Sequence, residues 1–290
     1  MRRLLLAMAG LACTIHAGAL VSISGDPANF FVPDQLATVD PLAQTVAGFV
    51  TLGDGSLGFN GGLATGPAGM LYGIANDSTG AGSLVTIQPD GTLSVIGAQD
   101  GLGFGFTGGL AWDPVDNTFL AVANDGSGNA FLYNISTGGA VSPGFQVGTN
   151  TSFDGLTYDT ANQTLYGIGN DSGGNSTLYN IIPAGSMVTP MTSLGTGFGG
   201  ITYDASLDAF WVISPVNNAS SQLFQISNTG VLSSPVFTLG DGFVELAVAS
   251  SATSPGPGPS APEPGTFAAV TSGIAAIAAA RRWTHNRGSK

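Results

Sequence analysis

The stretch GGLAWDPVDNTFLAVANDG, residues 108–126, decides the fold, because the chain repeats it in outline. GGLATGPAGMLYGIANDS (61–78), DGLTYDTANQTLYGIGNDS (154–172) and GGITYDASLDAFWVISPVN (199–217) share its opening, its turn and its second apolar run. The second residue of each opening is Gly62, Gly109, Gly155 or Gly200, at spacings of 47, 46 and 45 residues. Each opening is followed by another apolar pair, LVTIQPDG (84–91), LYNISTGG (132–139), LYNIIPAG (178–185) or LFQISNTG (223–230), and then by a short apolar stretch ending in glycine. Every unit therefore reads as four short strands, a to d, separated by Gly, Asn, Asp and Pro turn clusters.

Four strands on a period near 45 match a propeller blade, whereas helical repeats of the ankyrin or tetratricopeptide kind are shorter. The flanks complete the count. VELAVAS (244–250) puts Glu245 another 45 residues after Gly200 and reads as a lone strand a. NFFVPDQLATVDPLAQTVAGFVTLG (29–53) reads as strands b, c and d without their a. The expected fold is all-β, a five-bladed β-propeller spanning 23–250 whose closing blade is shared by the two ends of the chain. Four whole blades lie near 61–107, 108–153, 154–198 and 199–243, and the split blade combines 29–53 with 244–250. A longer twisted sheet or an open solenoid is the alternative. Because adjacent strands run antiparallel, the b–c and d–a loops fall on one face, and these are the longest, most Gly- and Asp-rich loops. That face is the expected binding face.

Charge excludes much. All six Lys and Arg residues are terminal: Arg2, Arg3, Arg281, Arg282, Arg287 and Lys290. Between Leu4 and Ala280 there is no Lys or Arg, and Cys13, His16 and His285 lie in the end segments too, so the propeller body, 23–250, is acidic with no counter-cation. Such a body cannot neutralise nucleic-acid phosphates. It cannot build Ser-His-Asp, Cys-His or ordinary zinc sites, nor a lysine Schiff base. Carboxylate chemistry and oxygen-ligated cations such as Ca²⁺ remain.

The pairs Asn76-Asp77, Asn124-Asp125 and Asn170-Asp171 recur at the end of strand b. Asp77, Asp125 and Asp171 have two readings, as Ca²⁺ ligands or as turn caps bonded to nearby backbone N–H groups, and repetition in successive blades favours the caps. Asn76, Asn124 and Asn170, with Phe104 and Phe106 in a d–a loop, are the candidate ligand-face residues. The phenylalanines read either as sugar-stacking groups or as packing between blades. Asp113, Asp159 and Asp204, after strand a, read as turn residues. Glu245, the only Glu of the body, reads as a rim residue or as the acid of a glycosidase. The expectation is a non-enzymatic binding module without a resident cofactor.

The ends carry addresses. Residues 1–19 read as a secretory signal peptide: a basic start, an apolar run from Leu4, and Ala17-Gly18-Ala19 for cleavage after Ala19. Cys13 raises a lipoprotein alternative, against which Gly10 stands where Leu is usual. Residues 251–261 are a Pro/Gly/Ser linker. Beyond them lie Pro262-Glu263-Pro264, an apolar run over 266–280, and Arg281-Arg282. As a helix that run would measure roughly 22 Å, short of the ~30 Å hydrocarbon core.

In that order, Pro262-Glu263-Pro264, the apolar helix and Arg281-Arg282 resemble the PEP-CTERM sorting signal of Gram-negative bacteria over 262–290. The resemblance implies recognition by an exosortase at the inner membrane and a transient anchor through the C-terminal hydrophobic helix. It further implies a destination at the cell surface or in the matrix, with exopolysaccharide and biofilm. It does not specify an activity.

Overall fold

The computed structural model describes residues 19–25, 33–125, 127–216, 220–240 and 242–249. The leader through Gly18, the linker, the PEP motif and the C-terminal helix expected from the sequence lie outside these residues.

The described chain forms five antiparallel sheets, four of four strands and one of five. Blade 1 comprises Gly58–Thr65, Leu71–Asn76, Ala81–Ile87 and Leu93–Val95, with the short strand Gly103–Phe104 continuing its outer edge against Ala81–Ile87. Blade 2 comprises Leu110–Asp113, Thr118–Asn124, Asn129–Ser136 and Phe145–Thr149. Blade 3 comprises Thr151–Asp159, Thr164–Asp171, Asn175–Ile182 and Met187–Thr196. Blade 4 comprises Ile201–Asp204, Ala209–Val216, Ser220–Ser227 and Phe237–Gly240. The closing blade orders Phe243–Val248, Leu20–Ser24, Gln35–Asp40 and Thr45–Thr51. Each strand a touches strand a of the next blade, and the fifth returns to the first, so the ring is closed.

The closing blade corrects one expectation. Its strand b is Leu20–Ser24, paired with Phe243–Val248 on one side and Gln35–Asp40 on the other, so 29–53 supplies only c and d. The reason is physical. Strand b sits inside its sheet, where Pro33 could not donate a ladder bond, whereas LVSIS buries Leu20, Ser22 and Ile23 completely. The ring thus starts at Ala19, whose carbonyl accepts a hydrogen bond from Ala249 N–H at 2.7 Å.

The strand sequences follow from this radial stacking. Inner strands have both faces covered by neighbouring blades, so TFLAVAN (118–124) is a continuous apolar run. Outer strands face solvent, and Thr45–Thr51 is mostly exposed. The described core is five clusters, one at each interface between blades. One phenylalanine near the start of each strand a belongs to each of them: Phe59, Phe106, Phe153, Phe198 and Phe243. Phe106 therefore packs between blades 1 and 2, 3% exposed, and is not a ligand-face residue. Phe153 and Phe198 are buried in the same manner.

Candidate functional site

The axis of the ring is built from glycine. Gly62, Gly109, Gly155 and Gly200 occupy one register of strand a in successive blades. A Cβ on Gly62 would lie 2.2 Å from Leu110 N, and one on Gly109 would lie 2.4 Å from Leu156 N. On Gly200 it would lie 2.4 Å from the Val244 carbonyl oxygen and 2.9 Å from Glu245 Cα. Gly62 and Gly109 also have φ of +93° and +98°, which side-chain-bearing residues avoid. At Gly62, Gly109 and Gly200 the inner backbones therefore approach too closely for a side chain to fit between them.

In the fifth blade the same register carries Glu245. Its side chain is buried, 6% exposed, which corrects the rim reading. The carboxyl accepts a hydrogen bond from Gly62 N–H, across the seam that closes the ring. Burial, and then the nearby charge of Asp154, raise its pKa well above the ordinary 4.5, and the Gly62 bond offsets only part of this. Asp154 replaces the first glycine of its repeat, where blades 1, 2 and 4 have Gly61, Gly108 and Gly199. Its pKa is raised by burial and eased by a hydrogen bond from Asn170 Nδ2. Both carboxylates are departures from the glycine pair that opens the repeat. That departure is the signal by which sequence reasoning, which gave Asp154 no role, could have found it.

Glu245 and Asp154 line a basin of about 290 Å³ with Thr107, Asn170, Val244 and residues Gly197, Phe198 and Gly199. All lie in d–a loops, at starts of strand a or at the end of a strand b, so the basin opens on the expected binding face. A smaller cavity of about 160 Å³ at the other end of the axis is lined by Trp112, Tyr158 and Tyr203 among others. There Asp113, Asp159 and Asp204 bond to the turns after strand a, as expected. Burial and the Asp113 carboxylate push the Tyr158 phenol up to about 12.

The Asn-Asp pairs divide their work. Asp77, Asp125 and Asp171 each cap their own b–c turn, accepting N–H bonds from Ala81 at 2.9 Å, Asn129 at 2.8 Å and Asn175 at 2.9 Å. Hydrogen bonds, led by the side chains of Thr79, Asn129 and Asn175, hold the three carboxyls below the ordinary range. Each sits in a different blade, so the structure does not bring the candidate Ca²⁺ ligands together.

The asparagines clip blades to one another. Asn124 Nδ2 donates to the Phe153 carbonyl at 3.0 Å while its Oδ1 accepts from Phe153 N–H at 3.1 Å. Asn170 Nδ2 donates to the Phe198 carbonyl at 3.1 Å, and Ser176 Oγ accepts from Phe198 N–H at 2.8 Å. Ser221 Oγ donates to the Phe243 carbonyl at 2.7 Å, and Asp34 accepts from Phe59 N–H at 2.6 Å. At Asn76 the corresponding clip is incomplete, since its buried Oδ1 has no hydrogen-bond partner. Of the candidate ligand-face residues only Asn170 lines the basin. Phe104 pairs through its backbone with Ala81.

No protein-family model matches the chain, and no curated protein matches it. Among solved structures it is similar to TolB from Acinetobacter baumannii, with TM-score 0.50 and 17% identity over 74% of this chain and 52% of that one. It therefore spans about half the length of that protein. It is also similar to a chain of a nidogen/laminin complex, with TM-score 0.52 and 13% identity over 80% of this chain and 98% of that one. At these identities the likeness is one of fold, and the fold is the β-propeller.

Proposed function

We propose that this chain is an exported, non-enzymatic binding propeller that meets polysaccharide of the cell surface or surrounding matrix through its b–c and d–a loop face. The basin carries this reading. Thr107, Asp154 and Glu245 offer hydroxyl and carboxyl groups around one cavity beside Phe198, with Asn170 holding Asp154 in place, a set suited to sugar hydroxyls. Binding needs no metal here, because the repeated aspartates are already committed to their turns. Export and surface delivery rest on the leader through Ala19 and on Pro262-Glu263-Pro264 with Arg281-Arg282, read by an exosortase at the inner membrane. Strand b begins at Leu20, so cleavage after Ala19 would leave that strand whole while removing the carbonyl that accepts from Ala249 N–H. The full chain on a glycan array is expected to show saturable binding without hydrolysis. A blank array would leave a structural filler with no specific ligand.

The raised carboxyl of Glu245 beside Asp154 favours a second reading, a glycoside hydrolase in which Glu245 is the proton donor. Saccharide cleavage abolished by Glu245→Gln would establish it and overturn the first.

A further inference from the structure

The basin has a charge problem that its own chain does not solve. Glu245 and Asp154 are largely withdrawn from water and close enough to repel. The body contains 16 Asp and Glu245 with no Lys, Arg or His between them, so no described side chain can answer their charge. Asn170 and Gly62 N–H supply one hydrogen bond each, and both are neutral donors. Of the groups that line the basin only these two titrate, since Thr107, Asn170, Phe198, Val244 and the glycines do not. Two desolvated carboxyls without a cation relieve their repulsion by holding a proton or by taking a positive group from outside.

We propose that the basin selects a saccharide bearing a primary ammonium, as in a deacetylated amino sugar, over its neutral N-acetylated counterpart. This rests on the polysaccharide-binding reading of the same site and names the ligand class within it. The ammonium donates to the carboxylates of Asp154 and Glu245. Neighbouring sugar hydroxyls meet Thr107 Oγ1. The acidic ring adds a long-range pull on any polycation. An ammonium beside the pair favours its ionised form, so binding releases whatever proton the empty pair holds.

The test is calorimetric titration of the full chain at pH 6 with a glucosamine tetramer and, separately, an N-acetylglucosamine tetramer. Each titration is run in two buffers of different ionisation enthalpy. The expected result is at least a tenfold tighter Kd for the glucosamine tetramer, with an apparent enthalpy that changes with the buffer. Asp154→Asn, and Glu245→Gln separately, should each erase most of that preference. Glu245→Gln keeps an oxygen for Gly62 N–H, and each variant's Tm reports that the ring is folded. Equal or tighter binding of the acetylated tetramer overturns the inference while leaving polysaccharide binding intact. A preference that survives both substitutions overturns it as well, since it then comes from the charge of the whole ring. Binding of neither tetramer overturns it, and the glycan array then decides the broader reading separately.

Discussion

Glu245 is where one side chain departs from the five-fold pattern, and its titration has a definite sign. A carboxyl whose pKa is raised on folding binds its proton more tightly in the folded chain than in the unfolded one. Its contribution to stability is therefore full below the ordinary glutamate range and is lost as pH climbs from there through the raised value. Glu245→Gln carries no such penalty. Its Tm should exceed that of the parent at neutral pH, with the difference shrinking towards zero as the pH falls to about 4. Thermal melts of both chains across pH 4 to 8 check this. At Gly109 the constraint is steric. Gly109→Ala drives a Cβ into the Leu156 backbone at positive φ, and a loss on the order of 3 kcal/mol or more is expected in chemical denaturation. Gly174 has φ +77° with nothing within 4 Å of the place a Cβ would take, so Gly174→Ala should cost only about 1 kcal/mol. The period of the repeat placed Glu245 in the glycine register, but a spacing carries no information about burial. Only the closed ring shows that the next blade's backbone covers that position.

Blades are held by apolar clusters and fastened by single polar side chains at the end that opens on the basin. Asn124 is a clear case, since one amide serves both the N–H and the carbonyl of Phe153. Asn124→Ala leaves both backbone groups without that partner, and a loss of about 1–3 kcal/mol is expected by denaturant titration. The same substitution at Asn76 removes an oxygen that is already unsatisfied and should cost less. The whole blades were legible because Gly-Gly openings, Asp turns and apolar runs recur at constant spacing. Strand b of the closing blade was not. LVSIS is only five residues long, it follows an apolar leader of similar composition, and no connecting turn joins it to a preceding strand a. The asparagines were legible as recurrent, but their use as clips was not, because their partners lie 28 or 29 residues away in the next blade.

Across the whole molecule, the described ring contains no Lys, Arg or His, so no ion pair offsets its acids. Self-repulsion is then the dominant electrostatic effect on its stability. Added salt shortens the Debye length from about 30 Å at 0.01 M to about 10 Å at 0.1 M and should stabilise the ring. Tm is expected to rise by several degrees between these concentrations of sodium chloride, the reverse of what a ring held by surface ion pairs would show.

The hydrogen bond between Ala249 and Ala19 places both ends of the ring on the face away from the basin. This sets how the ring would bear a mechanical load. A pull between a ligand in the basin and the chain beyond Ala249 runs lengthwise along Phe243–Val248. It loads the bonds to Leu20–Ser24 together, in shear, because ladder bonds stand perpendicular to the strands. A pull on Ala19 against Ala249 would open the same bonds one at a time, like a zip. The seam meets a lengthwise pull with all its bonds at once, and yields one bond at a time only when both ends are pulled apart.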